Sequence, residues 1–246
     1  MRVLVLGGTG EARALASALV ADGVEVVSSL AGRVREPQLP EGPVRMGGFG
    51  GAAGLAAFLR SEGVTALVDA THPFAAAITA NAAVAARRAG VPRLVLRRPG
   101  WPADPSWHRV GDLTAAAEVV RGWGGEVVFL TTGRGYLSAF TGDARHRFLV
   151  RAVDPPDGPV PPRVTVLLDR GPYTLDGERA LLRDHGVGLL VTRDSGGEMT
   201  AAKLRAAREL AVAVVMVARP PLPEGGTVVA TVDQAVAWIA ALTGSA

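Results

Sequence analysis

Val3-Leu4-Val5-Leu6-Gly7-Gly8-Thr9-Gly10-Glu11-Ala12-Arg13 is the stretch on which the fold turns. Four consecutive apolar residues leave no polar face, as expected of a strand covered on both sides in a parallel sheet. The glycines after them make a tight turn, and from Glu11 to Ala21 apolar residues recur at helical spacing. Strand, glycine turn and helix together open a doubly wound α/β domain. A glycine-rich turn in this place lets backbone N–H groups and a helix N-terminus approach a pyrophosphate. The turn is not a strict G-x-G-x-x-G, because Arg13 stands at the third glycine position when the reading starts at Gly8. No Gly-Lys-Ser/Thr follows, so it is not a P-loop.

The alternation continues outward from this unit. Strands are expected at Val24 to Ser28, Val44 to Met46, Thr65 to Asp69 and Arg93 to Leu96, with helices at Ala52 to Ser61 and Pro73 to Ala89. Residues 97–111 break the rhythm with Pro99, Gly100, Pro102 and Pro105, and read as a linker or lid. A second series of strands follows at Glu126 to Leu130, Phe148 to Val153, Val164 to Leu168, Gly188 to Thr192 and Ala213 to Val217. Its helices fall at Leu175 to His185, Thr200 to Leu210 and Val232 to Leu242. The expected fold class is α/β, with two Rossmann-like doubly wound parallel-sheet domains and the active site in the cleft between them. The expected boundaries are an N-terminal nucleotide-binding domain over 1–98, a linker over 99–111 and a C-terminal substrate domain over 112–246.

Composition narrows the function. The chain has 246 residues, 48% hydrophobic and 20% charged, enough to bury a core and unlike a disordered segment. With no cysteine, disulfides, thiolate zinc sites, iron–sulfur clusters and a cysteine nucleophile are excluded. The net charge is only +3 and the arginines are spread along the chain, which argues against a nucleic-acid partner. No apolar run is long enough for a signal peptide or a bilayer span, so a cytoplasmic protein is expected. Lys203 is the single lysine beside 25 arginines. An ammonium is compact and can lose its proton at accessible pH, whereas a guanidinium stays charged. Its position in the first turn of a helix is electrostatically unfavourable for a cation.

Polar turns at strand ends supply the remaining candidates. The second strand ends in Ser28-Ser29-Leu30-Ala31-Gly32-Arg33, without the acidic residue that holds a ribose diol in NAD enzymes; hydroxyls and Arg33 suit a 2′-phosphate. Asp69-Ala70-Thr71-His72-Pro73-Phe74-Ala75 lies at a C-terminal strand end, with Thr71 a candidate helix cap and His72 a candidate acid/base or hydrogen-bond donor. Thr131-Thr132-Gly133-Arg134 and Thr192-Arg193-Asp194-Ser195-Gly196-Gly197 are turns that suit anions, their arginines able to pair with carboxylates. The Tyr-x-x-x-Lys pair of short-chain dehydrogenases is missing, because Phe140 and Gly177 stand four residues after the two tyrosines. There is no G-x-S-x-G elbow, and the four histidines lack metal-ligand spacing.

Five blocks in order, Gly-Gly-Thr-Gly-Glu-Ala-Arg at 7–13, Ser-Leu-Ala-Gly-Arg at 29–33, Asp-Ala-Thr-His-Pro-Phe-Ala at 69–75, Thr-Thr-Gly-Arg at 131–134 and Thr-Ala-Ala-Lys at 200–203, resemble the precorrin-6A reductases of cobalamin biosynthesis. The resemblance spans nearly the whole chain, and the block at 69–75 is its most specific part. It implies NADPH-dependent reduction of one double bond in an anionic tetrapyrrole, precorrin-6A, to give precorrin-6B. It implies two Rossmann-like domains that exchange a strand, with Asp154 to Pro162 a candidate crossing point. Carried over by position, Gly7, Gly8, Thr9, Gly10, Glu11, Ser29, Arg33 and Thr71 would hold NADPH. Thr132, Arg134, Ser195 and Thr200 would bind the substrate. Asp69, His72 and Lys203 are the candidate catalytic residues, and the proton would come from a bound water, Lys203 or His72. Alternatives within reach of the same motifs are reduction of the cobalt-containing substrate and a non-catalytic NADPH-binding protein.

Overall fold

The structure, a computed structural model, describes residues 1–32 and 38–244. The first elements are β1 (Arg2–Leu6), α1 (Gly10–Ala21), β2 (Glu25–Leu30), β3 (Val44–Met46), α2 (Gly51–Ser61), β4 (Ala66–Asp69), α3 (Ala76–Ala89) and β5 (Arg93–Leu96). Next come β6 (Trp107–Val110), α4 (Leu113–Gly122), β7 (Val127–Leu130), β8 (Arg147–Ala152), β9 (Val164–Leu168), α5 (Leu175–Asp184) and β10 (Leu189–Arg193). The last are α6 (Ala202–Glu209), β11 (Ala213–Val217), β12 (Thr227–Val229) and α7 (Val232–Thr243). Short 3₁₀ segments, Arg134–Phe140 and Glu198–Thr200, follow β7 and β10.

The chain forms two compact units, Met1–Pro99 with Pro220–Ala246, and Gly100–Arg219. The first has the sheet β3-β2-β1-β4-β5-β12 and the second β9-β8-β7-β10-β11-β6. All pairings are parallel. Through five strands both units follow the third-second-first-fourth-fifth order of a doubly wound sheet. The sixth place is filled out of turn. β6 follows β5 in the chain yet pairs with β11, and β12 follows β11 yet pairs with β5. The sixth strands are therefore exchanged.

This corrects the expected boundaries. The chain passes from one unit to the other at Pro99–Gly100 and returns at Arg219–Pro220, whereas 154–162 joins β8 to β9 inside the second unit. Residues 107–110, inside the expected linker, form β6, and 220–246 complete the first unit. The prolines at 99, 102 and 105 precede β6 and leave its N–H groups free to pair. As an edge strand with exposed His108 and Arg109, it lacks the apolar signature of a central strand.

Alternation along β1 sorts the first core into two layers. Val3 and Val5 pack with Leu15 and Leu19 of α1 and Ile239 of α7. Leu4 and Leu6 pack with Leu55 and Leu59 of α2 and Ala82 and Ala85 of α3. Helices therefore cover both faces of this sheet, which is why β1 reads as an unbroken apolar run. Burying each such side chain stabilises the fold by about 1.5–3 kcal/mol. In the second unit, Phe129, Leu190 and Met216 pack with Leu182 of α5 and Leu204 of α6.

Candidate functional site

In open parallel sheets, ligands lie beyond the C-terminal ends of the two strands where the strand order reverses. In the first unit those strands are β1 and β4. Gly7 N–H donates to the Ser29 carbonyl at 2.9 Å. A Cβ on Gly7 would stand 3.3 Å from Leu30 Cδ2 and 3.4 Å from the Ala12 Cβ, so the turn is tight. Gly8 has φ +110°, a conformation that excludes ordinary side chains, and a Cβ there would meet nothing within 4 Å. Thr9 caps α1: its Oγ1 accepts from Ala12 N–H at 3.1 Å and donates to the Ala70 carbonyl at 2.8 Å. One hydroxyl thus ties the β1–α1 turn to the end of β4. Gly10 begins α1, whose first N–H groups have no intrahelical acceptor. Glu11 is engaged by Arg98 at 2.8 Å. Ser29 is buried, as is Ser28, whose Oγ has no hydrogen-bond partner. Arg33 lies outside the described residues.

At the end of β4, Asp69 is 1% exposed. Its Oδ1 accepts from Thr71 N–H at 3.1 Å and Thr71 Oγ1 at 2.7 Å, while its Oδ2 is buried with no hydrogen-bond partner. Thr71 therefore serves Asp69 and does not cap the next helix. That helix starts at Ala76, later than expected, and has no side-chain cap. His72 Nδ1 accepts from Phe74 N–H at 3.2 Å, which places the proton of a neutral ring on Nε2. Asp69, Thr71 and His72 line a small pocket with Pro73, Arg97 and Pro220. Behind it, burial lowers the proton affinity of Arg93, which the charge of Asp69 partly offsets.

In the second unit the order reverses between β7 and β10. Thr132 is fully buried at the end of β7, and its Oγ1 has no hydrogen-bond partner. Gly133 has φ +90° and lies beside the Arg193 guanidinium, which stacks over Tyr136 at 4.8 Å. Arg134 donates to the Pro155 carbonyl at 3.3 Å and stands 3.8 Å from Asp157. Ser195 N–H donates to the Arg193 carbonyl at 2.6 Å. Asp194 gathers the surrounding chain: its carboxylate accepts from Trp101 N–H at 3.1 Å and Arg109 at 3.2 Å, and its carbonyl accepts from Arg219 Nε at 2.6 Å. A Cβ on Gly100 would meet that carboxylate at 2.8 Å, so a larger residue there would have to push the Asp194 side chain aside.

Lys203, the second residue of α6, is 3% exposed. Its Nζ donates to the Thr200 carbonyl at 2.8 Å and lies 4.7 Å from the centre of the Trp101 ring. Burial, reinforced by Arg151 and Arg193 and opposed by Glu178, lowers its pKa from 10.5 to about 7. Arg151 donates to Glu178 Oε1 at 2.7 Å, and both side chains are buried.

The structure brings Gly7, Gly8, Thr9, Gly10, Ser29, Asp69, Thr71 and His72 to one sheet edge of the first unit. It brings Thr132, Ser195, Thr200 and Lys203 to the corresponding edge of the second, with Arg134 held toward 155–157. Sequence reasoning did not single out Trp101, whose ring faces Lys203 Nζ, or the buried Arg151–Glu178 pair. Arg151 had a signal, being a cation inside the apolar run Phe148 to Val153; the others are paired only by tertiary contacts. Among the described residues, no group of His, Asp and Glu is placed to hold a metal ion, and no helix is long and apolar enough to cross a membrane.

Comparison with known proteins places these edges in context. Residues 2–240 match the family described as precorrin-6x reductase CbiJ/CobK. A precorrin-6A reductase of Rhodococcus erythropolis is 55% identical over 98% of both chains. At 31% identity, a cobalt-precorrin-6A reductase of Priestia megaterium aligns over 95% of this chain and 96% of its own. The solved structure of CobK precorrin-6A reductase superposes with a TM-score of 0.90 at 41% identity, over 98% of this chain and 96% of that one.

Proposed function

The chain belongs to the precorrin-6x reductase CbiJ/CobK family, and from that premise we propose that it reduces one macrocycle double bond of precorrin-6A with NADPH, giving precorrin-6B in corrin-ring biosynthesis. The full-length likeness to a precorrin-6A reductase at 55% identity carries this reading. The metal-free substrate is favoured over the cobalt-containing one because the relative named for cobalt-precorrin-6A is much less similar.

The first unit fits a nicotinamide dinucleotide. Gly8 leaves open space beside the N-terminus of α1, where a pyrophosphate is favoured. The unpartnered acceptor on Asp69 and the unpartnered hydroxyl on Ser28 suit donors and acceptors of a bound ligand. Ser28 and Ser29 replace the acidic residue of NAD enzymes, which supports NADPH because no carboxylate there repels a 2′-phosphate. When bound, the cofactor supplies the hydride. His72 offers Nε2–H as a hydrogen-bond donor, and Thr9 holds the two strand ends in register.

In the second unit, Thr132, Arg134, Ser195 and Thr200 receive acetate and propionate groups, with the guanidinium giving charge-assisted bonds. Lys203 supplies the proton. A pKa of about 7 lets the ammonium be present and readily give up its proton at neutral pH.

The test is anaerobic mixing of the protein with NADPH and metal-free precorrin-6A, following nicotinamide absorbance and the tetrapyrrole spectrum together. Stoichiometric NADPH oxidation with a change in the macrocycle spectrum is expected. Turnover only with the cobalt-containing substrate would overturn the substrate assignment. NADPH binding without oxidation on either substrate would reduce the chain to a nucleotide binder.

A further inference from the structure

We propose that Trp101 is a positioning residue for Lys203: its ring face, fixed by hydrogen bonds at the backbone and at the indole, covers Nζ and holds the buried amine as an ammonium. The inference rests on the reading of Lys203 as proton donor and deepens it by naming the group that keeps the donor charged.

The ring is placed from both ends. Gly100 lets the backbone run against Asp194, whose Oδ1 accepts from Trp101 N–H at 3.1 Å while Arg109 donates to Oδ2 at 3.2 Å. At the tip of the side chain, Trp101 Nε1–H donates to the Gly197 carbonyl at 3.3 Å. Backbone and indole are therefore both tied to the turn that leads from β10 into α6, the helix that carries Lys203. Trp101 packs against the core cluster that includes Leu204, the next residue of that helix. Lys203 Nζ stands over the ring at 4.7 Å from its centre, inside the reach of about 6 Å for a cation–π contact. The lysine is 3% exposed, and Nζ donates to the Thr200 carbonyl at 2.8 Å.

A buried ammonium has given up its water, and one carbonyl serves only one of its three N–H donors. An aromatic face attracts the cation through its quadrupole and is not itself a base that takes the proton. A carboxylate in that place would bind the ammonium far more firmly and hold back its proton. The charged groups that bear on Lys203 are Arg151 from β8 and Arg193 at the end of β10, which disfavour the ammonium, and Glu178 from α5, which favours it. Burial brings the lysine down to about 7. There, a ring contribution of about one pH unit decides whether the amine is charged at neutral pH.

Lys203 is the single lysine, so untagged protein labelled with [ε-13C]lysine gives one side-chain signal whose shift follows Nζ protonation. Its midpoint is expected near 7 in the wild type. Nonsense suppression then replaces Trp101 by tryptophan carrying one to four ring fluorines. Each fluorine drains negative charge from the ring face while keeping its shape and its N–H. The midpoint is expected to fall stepwise, by about one pH unit over the series. Loosening of the fold would admit water and raise it toward 10.5, so the sign separates the two effects. The singly fluorinated protein differs from wild type by one atom, so the test does not depend on a truncated core. A midpoint that stays in place or rises along the series overturns the proposal and leaves Trp101 a packing residue. The alkaline limb of kcat/KM with metal-free precorrin-6A moves in step if Lys203 is the donor. A falling midpoint with an unmoved limb would uphold the ring's hold on the ammonium and overturn the donor role instead.

Discussion

Lys203→Met will stabilise the second unit at neutral pH while abolishing turnover. The lysine is 3% exposed, and its pKa falls from 10.5 to about 7. The unfolded chain therefore binds the proton more tightly than the native state, and between those two values native stability rises with pH. Each pH unit is worth about 1.4 kcal/mol, so near pH 7 the buried ammonium destabilises the fold by about 4–5 kcal/mol, and near pH 9.5 by about 1–1.5 kcal/mol. Methionine fills a similar volume but gives up the hydrogen bond to Thr200, about 1 kcal/mol, and the contact with Trp101, about 1–2 kcal/mol. The variant is thus more stable by about 1–3 kcal/mol at pH 7, and this advantage shrinks by about 3 kcal/mol at pH 9.5. Urea unfolding at both pH values, followed by tryptophan fluorescence, measures it. Trp101, Trp107 and Trp123 all lie in the second unit. Other titrating groups cancel in the difference between the two proteins. If the wild-type and variant stabilities run parallel from pH 7 to 9.5, the buried-ammonium argument is wrong.

Three further expectations concern the scaffold. Thr9→Ala removes the α1 cap and strands the Ala70 carbonyl, costing about 2–4 kcal/mol by amide exchange in β1 and weakening NADPH binding, whereas Thr9→Ser retains both; equal behaviour of the two variants would refute the tie. Burial pushes the Asp143 carboxyl up, but hydrogen bonds from His146 outweigh it and hold the group below its ordinary 3.8. Its stabilising contribution is therefore full above that value and lost as pH falls below it, so Asp143→Asn destabilises at pH 6 by about 1–3 kcal/mol with the gap closing in acid. A chain ending at Arg219 loses β12 and the Ala235 and Ile239 side chains that cover β1 and α1, so limited proteolysis will degrade the first unit, although the cut falls at the end of the second.

Much of the architecture was legible because parallel strands buried on both faces leave unbroken apolar runs. β1, β4, β5, β7 and β11 fall within a residue of where those runs lie. What escaped were the exchanged strands: β6 exposes its polar residues and β12 has only three, both at sheet edges where one-sided pairing asks little of the sequence. The glycine turn and the block at 69–75 were legible as strand-end chemistry, since position at the strand's C-terminus is a property of sequence order. The contact of Lys203 with Trp101 was not, because the two lie 102 positions apart and only the folded second unit brings them together. Its uniqueness made Lys203 stand out in the sequence, but its burial against Trp101 could be seen only in the fold.

The charge around Lys203 also gives the substrate a part in loading the proton. Arg151 and Arg193 act against the Lys203 ammonium and Glu178 acts for it, so two of the three charged groups that bear on Lys203 disfavour its charged form. An anionic macrocycle placing carboxylates at this edge reverses that balance, because an opposite charge nearby favours the protonated amine. Lys203 will then take up a proton as substrate binds, which puts the acid in its charged form when the reduced ring needs it. Binding measured near pH 7 in buffers of different ionisation enthalpy should report net proton uptake. That uptake should vanish in Lys203→Met and shrink well below pH 7, where the lysine is already protonated. Equal proton exchange in wild type and variant would mean that the carboxylates are received elsewhere and that the low proton affinity of Lys203 serves burial alone.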